Sequence, residues 1–138
     1  MEALKGLQPE RVFYYFEEIS RIPRGSGNTD GISSYLMGFA EKHGLWAHRD
    51  DANNVIIRKD ASAGCEKAAA VILQGHCDMV CEKKPGSRHN FLRDPLKLRV
   101  DGDLVYAEDT TLGGDDGIAL AYILAILEDD SIVHPALE

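Results

Sequence analysis

Apolar residues in the first third of the chain recur at helical spacing with polar residues between them. In "QPERVFYYFEEISRIP" the positions Val12, Phe13, Phe16, Ile19 and Ser20 share one face. Pro9 suits a first helical turn and Pro23 closes the segment, so a helix is predicted over 9–22. A second stripe, Ile32, Tyr35, Leu36, Phe39 and Ala40, predicts a helix over 28–43, capped by Asn28 or Thr29 and stopped by Gly44. The pattern then shortens. "LWAHRD" and "NNVIIRK" are β-rich segments joined by polar residues 50–53, a predicted hairpin. "LKLRVDGDLVYAE" predicts another, with Asp-Gly at its turn. Between the hairpins, "AVILQG" is apolar without alternation, the pattern of a strand buried on both faces of an α/β sheet. "DDGIALAYILAILED" predicts a helix over 116–128 with Ile118, Ala121, Tyr122 and Ala125 on one side. It is apolar nearly all round, so burial between layers is expected.

Two striped helices and a buried helix need something flat to cover. The predicted fold class is therefore α/β, a sheet flanked by helices, in a single unit over 1–138. The closing "SIVHPALE" reads as a turn and the start of another strand, so the chain is expected to be the front part of something longer.

Composition narrows the function without choosing it. Apolar residues make up 44% and charged residues 28%, the balance of a globular chain rather than a disordered one. A net charge of −8 disfavours a nucleic-acid or anionic-membrane surface. There is no apolar run of the roughly 18 residues a membrane helix needs, and the first residues lack the pattern of a signal peptide. Three cysteines without a Cys-x-x-Cys pair favour a reducing compartment, so the cytoplasm is expected.

Chemistry is concentrated in two places. "VILQGHCDMV" ends a predicted strand on His76 and Asp78, and strand ends at the carboxyl edge are where α/β sheets gather functional groups. Residues two apart on extended backbone point to the same side, so His76 and Asp78 could face one site. A histidine beside a carboxylate is a common metal ligand with its orienting partner, and it is equally a histidine that bonds locally at a strand end. The second place is "EDTTLGGDDGIALA", where a glycine turn sets Asp115 and Asp116 at the start of a helix. Either carboxylate could simply cap that helix, or both could draw a cation; Asp109 lies nearby in sequence. His43, His48, His89 and His134 show no ligand spacing and read as surface or loop residues. Cys77 points away from the pair by strand alternation, and Cys81 is left without a role.

Taken together, "HCDMV", an interval holding a hairpin, and "TTLGGDDGIALA" resemble the two-zinc exopeptidases of the aminoacylase and carnosinase kind. Within them the resemblance is to the aminoacyl-histidine (Xaa-His) dipeptidase branch, through "FYYFEEISRIPRGSGN", "DDANNVIIRK" and "FLRDPLKLRVDGDLVYAEDTTLGGDDG" as well. It covers nearly the whole chain, as an N-terminal part of a catalytic domain. The resemblance implies that His76 is a zinc ligand, that Asp78 orients it as a catalytic-site residue, and that Asp115 bridges two zinc ions. Cobalt or manganese could stand in for zinc. Asp116 stands where such dipeptidases often carry asparagine and is read as a neighbour of the site. A cis peptide bond just after the bridging aspartate is also implied. The implied substrate is a dipeptide, with a homo-oligomer as a possible assembly and neither nucleic acid nor membrane as partner. The two consecutive glutamates that supply base and ligand in that family are not in this chain, and Glu138 does not replace them. The rival expectations are another amidase or deacylase of the same family, or a scaffold without catalysis.

Overall fold

The computed structural model describes residues 3–138. Helix α1 spans Glu10–Ser20, α2 Asp30–Lys42 and α3 Gly114–Glu128. Strands β1 (Trp46–Arg49) and β2 (Val55–Arg58) form one antiparallel hairpin, and β3 (Leu98–Asp101) and β4 (Leu104–Ala107) form another. Both predicted hairpins and all three helices are present, each within a few residues of its expected bounds. Pro9 stands just before α1 rather than inside it. The α2 terminus follows from Gly44, which adopts φ +65° so that the Leu45 N–H reaches Ala40 O at 2.9 Å and its own N–H reaches Glu41 O at 3.1 Å. Those two bonds satisfy carbonyls that the end of a helix leaves open.

The stripes of α1 and α2 bury largely as predicted: Val12, Phe16, Ile19 and Ser20 on one, Ile32, Leu36, Phe39 and Ala40 on the other, with Phe13 and Tyr35 only partly buried. Tyr15 and Phe39 meet edge to face with ring centroids 5.6 Å apart, a favoured aromatic geometry. Helix α3 differs from expectation. It packs Gly117, Leu120, Ala121, Leu124 and Leu127 inward, in contact with α1, while Ile118 and Tyr122 are exposed. A helix apolar on every side carries almost no directional signal, so its sequence could not say which face would turn in. Leu124 in α3 is 1% exposed, and Leu124→Ala is expected to cost about 2–5 kcal/mol in urea unfolding, the range for emptying a packed leucine site.

The expected doubly buried strand is also corrected. Residues 71–75 are extended, yet Val71 is 41% and Ile72 70% exposed. One edge of the segment is paired: Val71 N–H donates to Ala136 O (2.9 Å), Glu138 N–H to Val71 O (3.0 Å) and Leu73 N–H to Glu138 O (2.9 Å). Leu137 in turn exchanges hydrogen bonds with Lys59 at 2.9 and 3.0 Å. The predicted sheet is thus an incipient one, in which β1, β2, residues 136–138 and residues 71–73 lie side by side and bridge only briefly. Within "HPALE" only Leu137 bridges, to Val71 on one side and Lys59 on the other, and no strand forms. Residues 72–75 also border a cavity of about 580 Å³, lined by Leu137 and Glu138 and floored by Leu120, Ile123, Leu124 and Leu127. Uniform apolarity signalled a segment suited to burial, and among the described residues nothing covers Ile72.

Candidate functional site

His76 follows Gly75 at the end of the extended run, and its ring is held from one side by Asp78. His76 Nδ1 lies 3.0 Å from Asp78 Oδ1 and 3.1 Å from Asp78 O. Two residues along extended backbone put both side chains on one side, as the alternation of a strand requires. Asp78 is fixed in turn by Ser26, whose hydroxyl donates to Asp78 Oδ2 at 2.5 Å. That hydrogen bond, aided by His76 and opposed by desolvation, holds the Asp78 carboxyl below the usual aspartate range.

Asp115 comes from the other direction. The chain turns at Gly113, with φ +69°, passes Gly114, and enters α3 through two residues of non-helical backbone, Asp115 and Asp116. The Asp115–Asp116 peptide bond is cis, as the resemblance implied. This geometry projects the Asp115 side chain into solvent and brings its Oδ1 to 3.1 Å from His76 Nε2. Asp116 turns elsewhere: its Oδ2 lies against Gly75, 3.0 Å from where a β-carbon on that glycine would stand. Neither acid acts as a side-chain N-cap for α3.

The three named residues therefore converge, in the order Asp115, His76, Asp78. If the Nδ1–H of His76 donates to Asp78, the Nε2 lone pair faces another acceptor, the Asp115 carboxylate. Something positive must lie between them, either a proton or a metal cation. With a proton there, hydrogen bonding to Asp115 raises the His76 pKa above the usual histidine range, against a smaller lowering by desolvation and with further help from Asp78.

The remaining candidates disperse. Asp109 pairs with Lys84 at 3.2 Å. His134 lies in a loop, one of the two places expected for it, and is buried there with Nδ1 2.7 Å from Pro135 O. His43 stacks on Phe39 and His89 on Phe91. Cys77 packs against the core, away from the His76 ring. Among the described residues, no group of three or more His, Cys, Asp or Glu side chains is arranged to hold a metal ion.

Two residues at the site were given no role in the sequence. Ser26 and Arg24 sit in "PRGSGN", a loop by pattern that enters the resemblance only within a longer stretch. Arg24 is 1% exposed and sends its guanidinium beneath the site. A Ser-Gly turn so near a helix end is common, and its contact with Asp78 depends on residues 24–26 running beside Met79, where Met79 N–H donates to Arg24 O at 2.9 Å.

The sequence and the fold have known counterparts. Over all of its residues the chain is 40% identical to the cytosol non-specific dipeptidase of Escherichia coli, spanning 28% of that protein's length. Its fold superposes on the crystal structure of aminoacylhistidine dipeptidase from Vibrio alginolyticus with a TM-score of 0.94 and 36% identity, over 97% of this chain and 27% of that one. The chain matches one part of the dipeptidases of this kind. A Staphylococcus aureus tripeptidase shares the fold with a TM-score of 0.71 at 23% identity, over 95% of this chain and 35% of that one. No protein-family model matches the chain. The dipeptidase part accounts for the small α/β arrangement of helices and short sheets, and among its described residues no helix is long and apolar enough to cross a membrane.

Proposed function

We propose that this chain forms part of the catalytic domain of a zinc-dependent dipeptidase and carries one portion of a two-metal site. In this reading His76 is a terminal ligand through Nε2, Asp115 is the bridging carboxylate and Asp78 orients the imidazole. The observation that carries it is the approach of His76 Nε2 and Asp115 Oδ1 to 3.1 Å with Nδ1 already committed to Asp78. Two donors each about 2.0–2.1 Å from one tetrahedral ion stand roughly 3.3 Å apart, so the observed spacing fits a shared cation. Carboxylate and imidazole are the oxygen and nitrogen donors that zinc accepts, and Asp78 supplies the customary outer partner of a ligating histidine.

A divalent ion held here supplies Lewis acidity toward the scissile carbonyl and lowers the pKa of water toward neutrality. The chain's own residues have simpler tasks. Asp78 keeps the proton on Nδ1, so that Nε2 presents its lone pair outward. Ser26 keeps Asp78 in the rotamer that does so. The cavity beside His76, lined by Asn53, Asn54, Ile72 and Leu73 among others, gives apolar and amide surface next to the site. Hydrolysis of dipeptides, Xaa-His among them, is the reaction named for the relatives in Escherichia coli and Vibrio alginolyticus, and it is the activity proposed for the protein to which this part belongs. A cytoplasmic location is proposed with it, on the name of the first of these. Residues 1–138 are read as a single unit, and a homo-oligomer is consistent with the open edge of residues 72–75.

Calorimetric titration with zinc tests the ligand assignment. Weak binding is expected, lost in His76→Ala, and reduced far more by Asp115→Asn than by Asp116→Asn. Because metal must displace the His76 proton, affinity is expected to fall as the pH drops through the His76 pKa, which lies above that of an ordinary histidine. Equal losses in the two aspartate variants, or an affinity indifferent to pH, would contradict the assignment.

A further inference from the structure

The guanidinium of Arg24 is almost wholly buried, 1% exposed, and its hydrogen bonds run to backbone carbonyls. Nη1 donates to Cys77 O (3.2 Å) and Asp78 O (3.4 Å), and Nη2 donates to Gly113 O (2.7 Å). Nε finds no acceptor. Burial lowers the Arg24 pKa, opposed by attraction to Cys77, Asp78 and Cys81. A fixed positive charge placed inside a fold without a hydrogen-bonded carboxylate is costly, and such groups persist where their geometry does something. Here the three carbonyls belong to the two segments that carry the site. Cys77 follows His76, Asp78 is its orienting acid, and Gly113 lies two residues before Asp115.

The surroundings are shaped to that fork. A β-carbon on Gly113 would stand 2.6 Å from Arg24 Nη2, and one on Gly117 would also stand 2.6 Å from it. Both glycines leave room for the guanidinium at the start of α3. On its other side, Arg24 O accepts from Met79 N–H, and two residues on, Ser26 binds Asp78. Residues 24–26 thus grip the His76 segment by backbone, hydroxyl and guanidinium, and only the guanidinium also reaches the Asp115 segment.

We propose that Arg24 is a positioning residue: its planar fork ties the carbonyls of Cys77 and Asp78 to that of Gly113 and so sets the distance between His76 Nε2 and Asp115 Oδ1. The proposal rests on the metal-site reading above, and it deepens that reading by naming what holds the two ligands in register. Lysine cannot take the place of arginine. Its ammonium is a point donor on a flexible stem and cannot hold two segments in fixed directions at once.

Arg24→Lys and Arg24→Met test this in the same 138-residue chain, with Phe39→Leu in α2 as a core change remote from the site. Two quantities are read: zinc affinity by calorimetry, and the ring nitrogen shifts of His76 by NMR in the metal-free protein. Arg24→Lys is expected to keep its helical circular dichroism, to bind zinc at least about tenfold more weakly, and to move the His76 ring signals. Arg24→Met is expected to do the same more strongly, whereas Phe39→Leu lowers the melting temperature and leaves those signals in place. Unmoved His76 signals in Arg24→Lys overturn the proposal, as does wild-type zinc affinity in that variant. Loss of the fold in Arg24→Lys also overturns it, since Arg24 would then serve the core at large. Should the wild-type chain bind no zinc, the metal reading fails by itself. The His76 signals still decide then: moved in Arg24→Lys they support the positioning role, unmoved they remove it.

Discussion

Gly113→Ala is expected to be among the most damaging single substitutions, costing about 3 kcal/mol or more, the upper range for a strained non-glycine residue combined with overpacking. Two independent terms add. Gly113 adopts φ +69°, a conformation in which any L side chain is strained. The new methyl would also stand 2.6 Å from Arg24 Nη2, 2.8 Å from Met79 Sδ and 3.1 Å from Met79 Cβ. None of these atoms has an easy retreat, because Arg24 is held by three carbonyls and Met79 is 3% exposed. Gly102 supplies the control. It sits at the Asp-Gly turn with φ +55° and nothing within 4 Å of its would-be β-carbon. Gly102→Ala therefore meets only the conformational term, about 1 kcal/mol. Urea unfolding of both variants checks the difference. Equal losses would mean that the Gly113 site relaxes freely and that Arg24 and Met79 are not fixed there.

That contrast bears on what the chain's letters could reveal. The turn at Gly102 was legible because its cause is local: Asp-Gly between two alternating segments specifies a hairpin wherever it occurs. The stripes of α1 and α2 were legible for a similar reason, since a one-sided apolar pattern has one way to turn. Helix α3 had no such pattern, and the identity of its buried face depended on α1, far away in sequence. "VILQG" was misjudged because apolarity reports suitability for burial, while actual burial needs neighbours on each face. That His76 and Asp78 could face one side followed from strand alternation, while Asp78 as the orienting partner of His76 came from the resemblance. The approach of Asp115 to His76 did not follow from alternation. No spacing rule predicts it, and it was legible only through the resemblance of "HCDMV" and "TTLGGDDG" taken together. Arg24 was legible by neither route. A single arginine in a glycine-rich loop looks solvated, and its burial is decided by three carbonyls that reach it only in the folded chain.

The largest effect on activity is expected to be its absence: residues 1–138 alone are expected not to hydrolyse Ala-His or carnosine, even with zinc added. The reason lies in what converges. His76 and Asp115 offer two donors to a cation, and the third member of the cluster, Asp78, is spent on Nδ1. Among the described residues no third ligand joins them. Two donors leave half of a tetrahedral zinc shell to solvent, which makes for weak binding, and a second ion would share only the Asp115 carboxylate. Peptide hydrolysis further needs a base within hydrogen-bond reach of the attacking water, worth about 10²–10⁴-fold in rate. Asp78 is poorly placed to serve, because its two oxygens are engaged by Ser26 and His76, and those bonds lower its pKa from the ordinary aspartate value. Glu138 is engaged by Arg58 at 2.7 Å. A coupled assay of dipeptide release, run over a zinc titration, measures this directly. Turnover that survives in Asp115→Asn would point to a contaminating peptidase. Turnover that Asp115→Asn abolishes would sink the prediction and mean that a further ligand and base reach the His76–Asp115 pair from a second copy of the chain.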